Sequence, residues 1–414
     1  MSEFVKRERI IQRDSEESAK SAIASPNVLA ILGVRRSGKS VLSWNLTGGN
    51  ALYVNFFDER LSAFRSDDFE RLLNAARELW GEPEIVVLDE VQEVKGWEMF
   101  VSRLRLNKRV VVTGSSSRLL SGEMATYLMG RHVELTLFPF SFREFLRFKG
   151  VRLSENWEYS DREVSRVKRE LEEYLEIGGF PEAVRFGRFY LSQIYRDLIE
   201  RDVIMRHGVK HADALRELAR YLISNHASEF TYSRLGSLAG LRDVHTVRDY
   251  VSYLEEAYLI FQLRRFSFKP KGQLLSPRKA YPVDTGIVKT LTLKAHPEKG
   301  RLMELAVFLE IKRALSYSFV PGEVYYWRDE RGEVDFIVRV GGKLIPIQVT
   351  FSLEGTSDRE VGNIVRASKA LRAEKGIIVA WEEEGKVERD GVKIEVVPLW
   401  RFLLYGFSRF LSST

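Results

Sequence analysis

Residues 28–46 read VLAILGVRRSGKSVLSWNL, and this stretch decides how the first part of the chain folds. Its beginning, VLAIL at 28–32, is an unbroken apolar run with the length of a buried strand. Its end, SVLSWNL at 40–46, places apolar residues at helical spacing. Because GVRRSGKS lies between the two runs, the stretch predicts a strand, a glycine-containing loop and a helix in direct succession.

The loop itself matches the phosphate-binding pattern GxxxxGK[ST]. Gly33 and Gly38 allow backbone amides to surround an anion, and the following helix points its positive end toward that anion. Lys39 is predicted to reach the outer phosphates, and Ser40 to bind magnesium through its hydroxyl. We therefore predict that MgATP binds here. The predicted contact residues are Gly33, Val34, Arg35, Arg36, Ser37, Gly38, Lys39, Ser40 and Val41.

Two further apolar runs continue the pattern, ALYVNFFD from Ala51 and EIVVLDE from Glu84. The second ends in adjacent acids, and adjacent side chains at a strand end point to different sides. Asp89 is therefore predicted to hold the magnesium shell, and Glu90 to polarise the attacking water as a general base. Solvated acids at a strand end are the alternative, but a phosphate-binding loop about fifty residues upstream favours catalysis.

The composition limits the other chemistries open to this chain. Among 414 residues there is no cysteine, so disulfides and thiolate zinc sites are excluded, and the six histidines show no ligand spacing. The formal charge of +6 permits an acidic partner such as DNA without requiring one. No apolar run approaches the ~20 residues of a membrane helix, and no secretory signal is evident. We therefore expect a cytoplasmic protein that does not contact membranes.

Several phrases occur in a specific order and together resemble a known family. They are GVRRSGKS, LDEVQEVKGWEMFVSRL, TGSSSRLL, LMGRHVELTLFPFSFREFL, YLEIGGFPEAV and IYRDLIERDVIMRHG, between residues 33 and 208. The chain resembles the archaeal and bacterial AAA-type P-loop ATPases that carry an uncharacterised, nuclease-like C-terminal domain. The resemblance implies an α/β P-loop core, a helical lid near residues 171–208, a winged helix-turn-helix and a restriction-nuclease-like α/β domain. It brings no known substrate.

Two more catalytic roles are predicted in this part of the chain, that of a phosphate sensor and that of a charge-neutralising arginine. The apolar run KRVVVTGSSS ends where AAA-type ATPases carry a polar sensor of the terminal phosphate, and Ser115 is the first candidate and Thr113 the second. A plain turn after the strand is the alternative for either hydroxyl. Arg131, which precedes the run HVELTLFPF, is predicted to neutralise charge on the transferred phosphoryl group, in its own subunit or in a neighbour. The alternative is an ordinary surface arginine.

The middle of the chain resembles a winged helix, with helical patterns from residues 212, 231 and 245 and a strand-like FQLRRFSF. Its third helix would present Arg242, His245 and Arg248 to a DNA groove, although acidic neighbours oppose this and such folds also bind proteins. Residues 257–283 contain no acid and mix basic with aromatic residues, as nucleic-acid contacts do. The predicted contacts in this segment are Arg264, Arg265, Lys269 and Lys271.

The remainder resembles a PD-(D/E)xK nuclease core in the order of its helices and strands. The resemblance implies a magnesium site with Glu304 as the helix acid, Asp335 as the strand acid and Gln348 as the third ligand. Thr350 stands where the family's lysine belongs, and a hydroxyl cannot supply its fixed positive charge. Unless Lys312, Lys343 or another base takes that place, we expect a degenerate site that does not cleave nucleic acid.

Four units are predicted: an ATPase core at 1–150, a lid at 151–210, a winged helix at 211–275 and the nuclease-like domain at 276–414. We expect Mg-dependent ATP hydrolysis that drives a conformational switch acting on DNA. One alternative is a STAND-like switch that holds ATP and signals to a protein partner. The other is a DNA nuclease gated by ATP. The oligomeric state stays open.

Overall fold

The computed structural model describes residues 9–48, 51–120, 123–292 and 299–412. Its first unit is a five-stranded parallel sheet with the order β2-β3-β4-β1-β5. The strands are β1 (Val28–Leu32), β2 (Leu52–Asn55), β3 (Ile85–Asp89), β4 (Arg109–Gly114) and β5 (His132–Thr136). The central strands β1 and β3 are buried along their whole length, which explains why they read as continuous apolar runs.

Helices cover this sheet and connect its parallel strands. They are α1 (Glu16–Ile23), α2 (Lys39–Asn45), α3 (Asp68–Trp80), α4 (Trp97–Leu104), α5 (Glu123–Leu128) and α6 (Phe142–Lys149). Helix α6 begins with a capping box, in which the Ser141 hydroxyl accepts from the Glu144 amide and Glu144 accepts from the Ser141 amide. Short 3-10 turns occupy Glu59–Leu61, Val91–Glu93, Ser117–Leu120 and Trp157–Tyr159.

A helical segment follows the sheet in the region predicted to be a lid. It contains α7 (Asp161–Ile177), α8 (Pro181–Phe186), α9 (Phe189–Asp197) and a π-helical segment, Leu198–Met205. Helix α8 begins at Pro181, where a missing amide costs nothing because the first turn of a helix has no internal acceptor for it.

The middle of the chain contains the predicted three helices and the strand after them. Its elements are α10 (Ala212–Ser224), β6 (Glu229–Phe230), α11 (Tyr232–Leu238), α12 (Val244–Glu256), β7 (Ile260–Arg265), α13 (Pro270–Leu275), β8 (Arg278–Pro282) and α14 (Thr285–Leu291). Helix α12 is capped by Asp243, whose carboxylate accepts from the amides of His245 and Thr246 at 3.0 Å each.

The last part of the chain also shows the expected succession of helix and strands. It consists of α15 (Lys299–Tyr317), β9 (Gly322–Arg328), β10 (Glu333–Val340), β11 (Lys343–Val349), α16 (Ser357–Leu371), β12 (Lys375–Ala380), β13 (Gly385–Arg389), β14 (Val392–Pro398), α17 (Leu399–Tyr405) and α18 (Ser408–Ser412).

One nine-stranded sheet joins the middle and the last part, with the order β13-β14-β12-β11-β10-β9-β7-β8-β6. The joint is a short parallel pairing of β7 with β9, in which Arg264 lies opposite Tyr325 and Arg265 opposite Tyr326. Strand β8, which completes the hairpin with β7, begins at Arg278. The predicted boundary at residue 275 therefore falls inside one continuous sheet. Within the described ranges, no helix combines the length and apolarity required to cross a bilayer.

Candidate functional site

The phosphate-binding loop lies at the carboxyl end of β1, between that strand and α2. Gly33 has φ 138°, and a Cβ there would lie 2.2 Å from the carbonyl oxygen of Leu137. Gly38 has φ 99° at the first residue before α2. Both positions therefore require glycine. Arg36 also adopts a positive φ, 66°, which is an uncommon conformation for a residue with a side chain.

Lys39 is the cation at the centre of this site, and its side chain is only 4% exposed. Its ammonium donates to the carbonyls of Gly33 and Val34 at 3.0 and 3.1 Å, and lies 3.9 Å from Glu90 Oε1. Burial lowers the pKa of Lys39, and the carboxylates of Glu90 and Asp89 counteract this. The ammonium is therefore held within the loop, beside the predicted general base.

The two predicted catalytic acids lie at the end of β3 and have different surroundings. The Asp89 carboxylate accepts from the hydroxyls of Tyr53 and Thr113. Glu90 has φ 53°, and its amide donates to the Thr113 hydroxyl at 3.0 Å. Burial by itself would raise the pKa of Glu90, but the Lys39 ammonium and the Gln92 amide hold that pKa below its usual range. Glu90 is therefore ionised at neutral pH, as a general base must be.

Tyr53 is a site residue that sequence reasoning missed. Its hydroxyl donates to Asp89 Oδ2 at 2.5 Å and is also hydrogen-bonded to Ser40, so it connects the two predicted magnesium ligands. Strand β2 pairs directly with β3, which places Tyr53 beside the acids. The hydroxyl of Ser40 and the carboxylate of Asp89 are hard oxygen donors, so the donor set fits magnesium. The only signal in the sequence was a tyrosine in an edge strand.

A cavity of about 790 Å³ extends from the loop to the N-terminal segment and to α8. Lys39, Ser40 and Glu90 belong to its lining. The lining also includes apolar side chains, those of Ile10, Ile11, Phe140, Phe148, Pro181 and Phe186, and three arginines, Arg9, Arg13 and Arg185, which lie over the rings of Phe148, Phe140 and Phe186. A lining of both charged and apolar groups suits a nucleotide, whose phosphates and base differ in the same way. The sequence by itself did not indicate these apolar residues, because they are distant from the loop in the chain.

The two arginines of the loop bind acids of the helical segment that follows the sheet. Arg35 forms two hydrogen bonds with Asp202, both of 2.8 Å. Arg36 contacts Glu182 at 2.6 Å and Asp197 at 2.9 Å. The loop is therefore fastened to α8, to α9 and to the π-helical segment.

The two candidate sensors both lie beside the catalytic acids. Thr113 contacts both acids directly, as described above. Ser115 is buried, and its hydroxyl accepts from the Arg206 guanidinium at 3.4 Å. Arg118, three residues further on, pairs with Glu256 at the end of α12 at 2.7 Å. The segment after β4 thus connects the site with the middle of the chain, and the choice of sensor stays a prediction.

Arg131 does not lie at this site. It directly precedes β5, which runs parallel to β1 with His132 opposite Val28, whereas the loop follows Leu32 at the other end of β1. The five residues of β1 span roughly 16 Å, so Arg131 lies at the opposite edge of the sheet. A role in its own subunit is therefore incorrect, and a role across a subunit interface stays a prediction.

The predicted nucleic-acid contacts divide into exposed and engaged side chains. Arg242, His245 and Arg248 are exposed on and before α12. Arg264, Lys269 and Lys271 are also exposed, and Phe268 beside them is 72% exposed. Arg265 differs, because its guanidinium donates to the carbonyl of Arg328. It contributes to the joint between β7 and β9.

The structure brings Glu304, Asp335 and Gln348 together, with a lysine among them. Gln348 Oε1 accepts from the Asp335 amide at 3.4 Å, and Tyr281 donates to Glu304 at 2.6 Å. The ammonium of Lys279 lies 3.5 Å from Glu304 Oε1. Within the described residues, no group of three or more acidic or histidine side chains is placed to hold a metal ion.

Neither lysine considered as a replacement for the missing one reaches this cluster. Lys312 is buried over the ring of Phe261, 5.7 Å from its centroid. Lys343 begins β11, at the opposite end of that strand from Gln348. Thr350 donates its hydroxyl to the carbonyl of Ser352 at 3.0 Å. Lys279 of β8, which was not among the predicted site residues, is the cation found there.

Three protein-family models match separate parts of the chain. Residues 25–146 match an AAA domain. Residues 168–298 and 299–402 match two domains of unknown function, DUF8612 and DUF4143. The AAA match coincides with the parallel sheet and its phosphate-binding loop, which confirms the expected P-loop core.

Two relatives are similar along nearly the whole chain. The uncharacterised protein MJ1544 of Methanocaldococcus jannaschii is 32% identical, with 97% of this chain and 93% of that protein covered. An uncharacterised protein of Haemophilus influenzae is 30% identical, with 90% of this chain and 94% of that protein covered.

Among solved structures, the Walker-type ATPase PABY2304 of Pyrococcus abyssi is 17% identical, with a TM-score of 0.43, 68% of this chain and 96% of that chain covered. The STAND protein PH0952 of Pyrococcus horikoshii, with a tetratricopeptide repeat sensor, is 14% identical, with a TM-score of 0.28, 75% of this chain and 48% of that chain covered. Likenesses this distant say nothing about the site.

Proposed function

The chain belongs to the same family as the uncharacterised protein MJ1544 of Methanocaldococcus jannaschii, and on this premise we propose that its AAA domain binds and hydrolyses MgATP. The observation that supports this most is the convergence of four groups at the carboxyl end of the parallel sheet. Lys39 and Ser40 begin α2, whereas Asp89 ends β3, two strands away, and Glu90 follows it. Residues from separate parts of the chain thus meet where phosphates, a metal ion and an attacking water have to meet.

Each of these residues has a distinct part in the proposed reaction. The ammonium of Lys39 exchanges its carbonyl partners for phosphate oxygens, and Ser40 and Asp89 hold the metal ion. Magnesium, when bound, neutralises charge on the phosphates. Glu90, ionised beside Lys39, orients a water molecule and accepts its proton. The apolar side chains of the cavity lining, among them Ile10, Ile11 and Phe148, contact the base.

A binding assay and a turnover assay test this proposal together. Lys39→Ala should abolish binding of a fluorescent ATP analogue, whereas Glu90→Gln should keep binding and stop hydrolysis. Glu93→Gln is the matched control, because this exposed glutamate lies three residues further on. Normal ATP turnover in Glu90→Gln would show that another group is the base. Binding that survives in Lys39→Ala would refute the proposed site.

We also propose that hydrolysis drives a conformational switch. Arg35 and Arg36 fasten the loop to the lid, and the Arg118–Glu256 ion pair fastens the segment after Ser115 to α12. A nucleotide that rearranges the loop therefore acts on contacts with both following units. The measurement is hydrogen exchange of α9, the π-helical segment and α12 with and without MgATP, in wild type and in Lys39→Ala. Identical protection with and without nucleotide in wild type would refute the switch.

DNA is the client that we propose for this switch. Support comes from the exposed Arg264 of β7 and from the exposed Lys269 and Lys271, which follow the exposed Phe268 on the β7–β8 connection. Basic side chains bind phosphates, and an exposed ring stacks on bases. A protein-directed STAND-like switch would instead retain its nucleotide tightly and ignore DNA.

The test of this client is ATP turnover with and without single- and double-stranded DNA across a range of salt concentrations. Stimulation that fades with salt and is lost in the double variant Lys269→Gln and Lys271→Gln would support DNA. The matched control is Lys386→Gln with Lys393→Gln, exposed lysines at the opposite edge of the nine-stranded sheet. Turnover unaffected by any DNA would favour the protein-directed switch.

A further inference from the structure

A buried lysine stands among the acids of the C-terminal unit. Lys279 is only 3% exposed, and its ammonium pairs with Glu333 and lies 3.5 Å from Glu304 Oε1. Asp335 is buried close by. The ring of Tyr326 lies below the ammonium, 5.4 Å from centroid to nitrogen. The lysine therefore has carboxylates and an aromatic face around it, which is what a buried ammonium needs.

Three of the oxygens that a metal ion would need accept hydrogen bonds within the protein. Glu304 Oε1 accepts from the Tyr281 hydroxyl at 2.6 Å and faces the ammonium. Asp335 Oδ2 accepts from the amide of Val349 at 2.8 Å. Gln348 Oε1 accepts from the Asp335 amide at 3.4 Å. The resemblance to nucleases implied magnesium here, but these residues do not fit a divalent ion beside Lys279.

We infer that Lys279 is a built-in cation, which occupies the place of the metal ion in the cluster of Glu304, Glu333 and Asp335. A divalent ion at this position would be close to a fixed ammonium, and two cations in a buried site repel each other strongly. The cluster is consequently independent of metal. It also lacks the two-part arrangement of metal ion plus separate lysine that the nuclease reaction requires.

The position of Lys279 in the fold gives the cluster a different role. Lys279 lies on β8, Glu333 and Asp335 on β10, and Glu304 on α15. Between β8 and β10 the sheet contains β7 and β9, which pair through only two residue positions. The ion pair between Lys279 of β8 and Glu333 of β10 spans these two intervening strands. Lys279 therefore fastens the β7–β8 hairpin to the C-terminal unit.

The first experiment counts bound Mn²⁺ by electron paramagnetic resonance of the full chain without nucleotide. Wild type and Asp335→Asn should bind the same number of ions, because this cluster holds none. If Asp335→Asn does not fold, Glu304→Gln replaces it in the same comparison. A loss of one equivalent of Mn²⁺ in either variant would overturn the inference, and no ATP measurement enters this result.

A second experiment removes the lysine. Lys279→Met leaves the acids without their cation, so this variant should bind one Mn²⁺ more than wild type, and Mn²⁺ should raise its Tm. Lys279→Arg keeps the charge and should behave as wild type does. A Lys279→Met protein that folds but neither binds nor responds to Mn²⁺ would contradict a shared position of lysine and metal. If it does not fold, the first experiment still decides.

Discussion

Arg35 of the phosphate-binding loop and Asp202 of the π-helical segment form a two-bond ion pair, with Nε–Oδ2 and Nη2–Oδ1 distances of 2.8 Å. Asp202 is 2% exposed, and Arg206 approaches its other side at 3.5 Å. Because the guanidinium and the carboxylate are both planar, the pair fixes the orientation of both groups as well as their distance. The lid thus contacts the loop through a rigid link.

This link predicts a large effect of Asp202→Asn on stability. Asparagine carries no charge, so the largely buried guanidinium of Arg35 loses its negative partner. The free energy of unfolding should therefore fall by roughly 3 kcal/mol. Urea unfolding of the purified protein measures this change. Glu182→Gln is the control, because its pair with Arg36 is about one-third exposed and should cost less than ~1 kcal/mol. Equal losses in both variants would show that the lid is not anchored through Asp202.

Thr113→Val should impair the magnesium site. The variant removes the hydroxyl that contacts Asp89 and the Glu90 amide, and each polar group left unpaired in a buried position costs about 1–3 kcal/mol. We expect a lower kcat for ATP and a higher magnesium concentration at half-maximal turnover. Ser115→Ala, which loses contacts with Arg206 and Glu90 but leaves the hydroxyl partners of Asp89 in place, should keep the wild-type magnesium dependence. The reverse pattern would favour Ser115 as the functional hydroxyl.

Gly33→Ala should prevent the loop from forming. The new methyl group would lie 2.2 Å from the Leu137 carbonyl oxygen, and φ 138° is a conformation that L-residues rarely adopt. We expect loss of ATP binding together with a lower Tm. Gly300→Ala provides the control, since the space there is open and helix α15 should gain up to ~1 kcal/mol. An unchanged ATP affinity in Gly33→Ala would contradict the described loop.

Asp284 predicts a specific pH dependence of stability. Its carboxylate accepts from the amides of Gly179, Gly286 and Ile287, yet burial raises its pKa from 3.8 to about 6. Because the folded protein holds this proton more tightly than the unfolded chain, stability falls as pH rises from about 4 to 6. The two-unit shift corresponds to about 3 kcal/mol.

The measurement compares urea unfolding of wild type and Asp284→Asn between pH 4 and pH 7. Asparagine does not titrate, so the stability of wild type relative to the variant should decrease with rising pH and level off above pH 6. Other carboxylates affect both proteins equally and cancel in the difference. A difference that stays constant or grows with pH would mean that Asp284 is ionised throughout.

Much of the secondary structure was evident in the sequence. The run VLAIL became β1 with the predicted bounds. Such agreement arises because apolar periodicity reports burial directly. The run HVELTLFPF was less reliable, since β5 ends at Thr136 and residues 137–140 continue without strand pairing. Those residues are buried for a different reason, which is their contact with the N-terminal segment and α15.

By itself, the sequence determined the phosphate-binding loop, the paired acids and the order of the elements, because each of these depends on residues close together in the chain. Only the tertiary structure decided which distant side chains meet them. It brought Tyr53 to Asp89 and Lys279 to Glu304, and it placed Arg131 at the far edge of the sheet. Local patterns set conformation, whereas strand order and register set proximity, and a single sequence carries no direct record of either.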